Sequence, residues 1–71
     1  MNLTERQMQV VVLVGRDGVT WDRAAREIGI CVQTVRAHAK RVQIKGGLTE
    51  KRPRAAMSQI YWCRIHKEEL Y

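Results

Sequence analysis

Two cysteines, one proline and no apolar run longer than five residues mark this chain of 71 residues. Each scarcity excludes something. Cys31 and Cys63 are too few for a disulfide framework, and both fall inside helical patterns, which reads as reduced thiols in an intracellular protein. The longest apolar run, VVVLV at 10–14, is too short to span a bilayer, and no charged start precedes a longer one as in a secretory leader. The expectation is a cytoplasmic protein with no membrane partner. Paired carboxylates, a nucleophile with an evident base and a phosphate-binding loop are all missing, so neither an enzyme nor a cofactor is expected. The aromatic platform that single-strand binders use is missing too. At this length the chain is one domain, residues 1–71, near the lower limit for a self-sufficient core.

Acidic residues are scarce in one half only. Residues 1–30 carry Arg6, Arg16, Arg23 and Arg26 against Glu5, Asp17, Asp22 and Glu27, and they cancel. The net charge of +6 therefore lies wholly in residues 31–71, where nine Lys and Arg face only Glu50, Glu68 and Glu69. A surface charged merely for solubility would scatter its cations over both halves. One neutral half and one basic half point to an oriented face for a polyanion.

What is present reads as four helices. In LTERQM, Thr4 is a helix N-cap with Gln7 placed to return a bond to it, and Leu3 with Met8 can close a hydrophobic staple. Met8, Val10, Leu13 and Val14 then recur at helical spacing until GRDG (15–18) ends the helix. Thr20 caps a second helix whose buried stripe is Trp21, Ala24, Ala25 and Ile28, with Asp22 in its positive first turn. Gly29 stops it. Cys31 stands where a third N-cap is needed, and it caps poorly.

The third helix is expected from Val32 to about Lys45. At roughly 100° per residue, Val32, Val35, Ala39 and Val42 share one side. Gln33, Arg36, Ala37, Lys40 and Ile44 share the other, with Arg41 at its edge. The apolar stripe must face the first two helices, which leaves the Gln33, Arg36, Ala37 and Lys40 face outward. A short break containing Gly followed by a restarted, acid-free helix is the pattern of a helix-turn-helix, whose second helix enters the major groove.

TEKRPR (49–54) reads as a basic linker, with Lys51, Arg52 and Arg54 as phosphate contacts. Pro53 suits only the first turn of a fourth helix, expected from 53 to about 69. Ala56, Met57, Ile60, Cys63 and Leu70 form one apolar stripe on it. Tyr61, Trp62 and Ile65 form a second, more than one small domain can use. That spare stripe suggests the interface of a homodimer, the competing arrangement being a fold-back onto the first helix. Cys31, His38, Cys63 and His66 have the ligand types of zinc, with Cys63 and His66 at i, i+3. The remaining pair straddles a helix start rather than a turn, so no metal site is expected.

The run LTERQMQVVVLV…GVTWDRAAREIGICVQTVRAHAKRVQIKGGL resembles the LuxR/GerE-type helix-turn-helix domain. Leu3-Thr4 with Arg6, then Ala25, Ile28-Gly29-Ile30 and Thr34-Val35-Arg36 followed by His38 carry the likeness over residues 3–48. Cys31 replaces the usual Ser or Thr cap, Ala24 a larger aliphatic, and Gly46-Gly47 stand near the usual Lys-Leu-Gly end. The resemblance implies an all-α, four-helix domain with an extended C-terminal helix, stand-alone and of GerE-like length. It implies that the third helix reads DNA and the fourth mediates dimer contact. Arg36, Ala37 and Lys40 match positions that face bases. Thr34 and His38 match positions that support the helix or its backbone contacts. A weaker similarity runs to region 4 of sigma factors. The expected function is sequence-specific binding of double-stranded DNA by a transcriptional regulator, through Gln33, Thr34, Arg36, Ala37, His38, Lys40, Arg41, Lys51, Arg52 and Arg54. The alternative is a protein-interaction module that engages RNA polymerase in the manner of a sigma region.

Overall fold

The computed structural model describes residues 2–69, and every regular element in that span is helical. Helix α1 (Glu5–Val10) starts as the sequence dictates. Thr4 accepts from the Gln7 backbone N–H at 3.2 Å, and the Gln7 side chain accepts from the Thr4 N–H, also at 3.2 Å. The helix does not stop at Gly15. It continues as a π-helical segment, Val11–Arg16, whose bonds run i→i+5. Helix α2 (Trp21–Ile28) is capped by Thr20, which accepts from the Arg23 N–H, and it ends on Gly29 at φ 83°, a conformation a Cβ would oppose. Helix α3 (Val32–Gly46) follows after two residues. Its N-cap Cys31 offers the backbone no side-chain bond, as a thiol in that place predicts.

Helix α4 (Pro53–Ile60) has Pro53 in its first turn and runs unbroken into a second π segment, Tyr61–Ile65, and a last α turn, His66–Glu69. The core is one cluster that draws on all four rods: Val10, Val11 and Val14, then Ala24 and Ala25, then Val35, Ala39 and Val42, then Ala56, Met57, Ile60, Tyr61 and Ile65. α4 packs most extensively on the first π segment. Gly15 makes that crossing tight: a Cβ there would overlap the Met57 carbonyl and lie 2.7 Å from its carbon.

The second π segment corrects the expected surface of the C-terminal helix. Tyr61 is 2% exposed and Ile65 7%, both inside the chain's own core, while Trp62 stays 47% exposed. Cys63, expected on the buried stripe, is exposed, and Leu70, expected beside it, lies outside the described residues. A count at 3.6 residues per turn aligns Cys63 with Ile60. The wider π turn instead carries Tyr61 and Ile65 onto the core side, where they meet the first π segment. The spare stripe is thus folded back, and the patch expected to hold a homodimer together is reduced to Trp62. No helix among the described residues is long and apolar enough to cross a membrane.

Candidate nucleic-acid interface

The site is built on α3. Val35, Ala39 and Val42 anchor its inner side in the core, so the turn-by-turn geometry fixes what points outward. Gln33, Arg36, Ala37, Lys40 and Arg41 are all exposed. Arg36 and Lys40 stand one turn apart with the small Ala37 between them, leaving room for a surface to come close. Ile44, 60% exposed, ends the same face.

Both ion pairs among the described residues lie in the neutral half, Arg16–Asp17 at 2.9 Å and Arg23–Glu27 at 3.4 Å. In the basic half the cations divide into two sets. Lys45, Arg54 and Arg64 are turned back onto the fold. Lys45 Nζ donates to the Asn2 carbonyl at 2.9 Å and to Gln7 Oε1 at 2.7 Å, tying the end of α3 to the start of α1. Arg64 Nη2 donates to the Gly46 carbonyl at 3.4 Å, a cation on the negative end of α3. Arg54 donates to the Val19 and Gly18 carbonyls at 2.8 and 3.0 Å. This corrects its expected role as a phosphate contact: its guanidinium pins the start of α4 to the loop before α2. The second set is Arg36, Lys40, Arg41, Lys51 and Arg52, all exposed, with no hydrogen-bond or ion-pair partner among the described residues.

Two of the expected contacts are placed differently from the outward face. His38 is half-buried on the flank of the core stripe, and its Nδ1 is buried without a partner among the described residues. The Thr34 hydroxyl is 3.0 Å from Cys31 Sγ, so it serves the start of α3 locally. Hydrogen bonding to Thr34 holds the Cys31 thiol below its ordinary pKa, helped by backbone N–H groups of the first turn. At the far end of the first rod, Arg16 holds the Asp17 carboxyl below its ordinary value and itself lies 5.9 Å over the Tyr61 ring.

Gln43 decides where the linker goes, and its role is absent from the expected site. Buried beside Val42, it donates from Nε2 to the Leu48 carbonyl at 3.1 Å and to the Lys51 carbonyl at 2.8 Å. The chain after Gly47 is thereby folded against α3. A signal was present in the sequence: Gln43 is four residues after Ala39 and eight after Val35, a polar side chain on the edge of an apolar stripe. Its two bonds bring Lys51 alongside Arg36 and Lys40 around a groove of about 520 Å³, completed by Trp21, Thr49 and Pro53. No carboxylate lines it. Trp21, expected in the buried stripe of α2, is half-buried and forms one wall. Cys31 and Cys63 are both exposed free thiols, and no three metal-binding side chains gather among the described residues.

The arrangement offers two chemistries. An arginine on an exposed helix can bond a guanine edge in bidentate fashion, and lysines around it can neutralise phosphates. Compared with known proteins, the chain matches no family model, no curated protein and no solved structure.

Proposed function

We propose that this protein binds double-stranded DNA sequence-specifically as a transcriptional regulator, α2 and α3 acting as a helix-turn-helix of the LuxR/GerE type. One observation carries the reading. The cations left without a protein partner are those of the outward α3 face and the adjoining linker, while the other cations of the basic half near that face are spent on carbonyls. In this reading Arg36 and Lys40 reach base edges, with Gln33 and Ala37 beside them, and Arg41, Lys51 and Arg52 meet phosphates. Phosphate contacts supply affinity and base contacts supply choice of site.

The test is fluorescence anisotropy on a duplex selected from a random pool, set against an unselected duplex. Affinity for both should fall steeply as salt rises, which a protein-docking module would not show on DNA. Arg36→Ala should cost about 1–3 kcal/mol on the selected duplex and less on the unselected one. Equal losses on the two would make Arg36 a phosphate contact. No binding to any duplex at low salt would end the proposal.

A further inference from the structure

Two surfaces remain once the α3 face and its groove are set aside. The first is a second groove, of about 500 Å³, between α1, the first π segment and the end of α2. Met8, Val12, Leu13 and Ile28 form its apolar floor, all four only partly buried. Glu5, Gln9 and Glu27 form its rim, and no Lys or Arg lines it, in a chain whose net charge is +6. Glu5 has no cation within ion-pair distance among the described residues. The second surface is Trp62. Its ring is held edge-on by Tyr61 and by His66, each centroid 5.0 Å away. Lys67, exposed and without an acceptor among the described residues, follows His66 in the same rod.

We propose that Trp62 of one copy of this chain seats in the α1–α2 groove of a second copy. The two surfaces match in shape and in charge. An indole fixed by two neighbouring rings loses little freedom on docking, and buried tryptophans dominate many interfaces. The groove is wide enough for it and offers four aliphatic side chains to cover it. The rim supplies carboxylates to a rod that arrives with Lys67 and His66. Trp62 does not reach the groove of its own chain, because every lining residue comes from α1, the first π segment or α2. Both halves of the contact exist on one molecule, which favours a second copy over an unrelated protein. The contact either closes reciprocally in a two-fold dimer or runs on head to tail. It uses no residue of the outward α3 face, so it stands or falls independently of DNA binding.

Sedimentation of the native chain, of Trp62→Ala and of Met8→Lys from ten to several hundred micromolar tests this. The native chain should rise above its 8.3 kDa monomer mass, and each variant should associate about tenfold more weakly or less. An equal mixture of the two variants should recover a complex, because one contributes an intact groove and the other an intact Trp62. Should Met8→Lys melt, Glu5→Lys on the exposed rim takes its place. A native chain that stays monomeric throughout overturns the proposal. So does a Trp62→Ala variant that associates like the native chain, or a mixture no heavier than its parts.

Discussion

Cys31 and Thr34 show how one poor local choice is offset beside it. A thiol cannot bond the first-turn N–H groups as a serine would, but Thr34 one turn on reaches back to its sulfur at 3.0 Å. That bond favours the thiolate, which is why the Cys31 pKa lies below its ordinary value. Removing it in Thr34→Val should move the pKa up. Iodoacetamide alkylation of Cys31, followed by mass spectrometry from pH 6 to 10, should then reach half its maximal rate at a higher pH than in the native chain. Identical profiles would mean that the backbone N–H groups alone set the thiol. The same scale explains Arg54. Its two short bonds to the Val19 and Gly18 carbonyls give it a structural task that its sequence setting, among other linker cations, does not reveal.

Elements meet where side chains permit close approach. The first π segment and α4 cross with Gly15 against the Met57 backbone, and no other residue fits without moving one rod. Gly15→Ala should therefore destabilise the fold by about 1–3 kcal/mol, as overpacking does, although alanine is the better helix former. Urea unfolding followed by circular dichroism measures the difference, and a stabilised variant would show that the crossing relaxes freely. The linker behaves as an element too, because Gln43 fastens it. With Arg54 occupied, Lys51 and Arg52 are the linker cations left for phosphates. On the DNA-binding proposal, neutralising both should shallow the slope of log affinity against log salt by up to about 2 and leave site preference intact. An unchanged slope would place both residues off the DNA.

For the whole molecule the question is how so short a chain closes a core. At about 0.05–0.15 kcal/mol per residue, 71 residues have roughly 4–10 kcal/mol of stability to lose. Ile65 joins the C-terminal rod to the rest of the core, so Ile65→Asp removes its apolar contacts and places a carboxylate in an apolar site. That combination costs several kcal/mol. The variant should unfold at room temperature or melt far below the native chain, whereas Trp62→Ala should keep its native melting temperature within a few degrees. A folded Ile65→Asp monomer would mean that the C-terminal rod is dispensable to the core.

The sequence by itself determined the parts whose causes lie within a turn. The Thr4 capping box, the Thr20 cap, the Gly29 stop, the weak cap at Cys31 and the inner stripe of α3 all depend on residues within a few positions of one another, and each is legible from type and spacing. The outward set Gln33, Arg36, Ala37, Lys40 and Arg41 follows from that stripe by helix geometry alone. Tertiary structure decided the rest, for two physical reasons. The α-helical angular count fails wherever bonding shifts to i→i+5, so the fates of Tyr61, Cys63 and Ile65 were settled only when the two π segments packed together. Long cationic side chains look alike in a sequence, and which of them meets a carbonyl depends on chain segments 18 to 43 residues away. Packing alone separated Lys45, Arg54 and Arg64, held by the fold, from Arg36, Lys40, Arg41, Lys51 and Arg52, which it leaves facing outward.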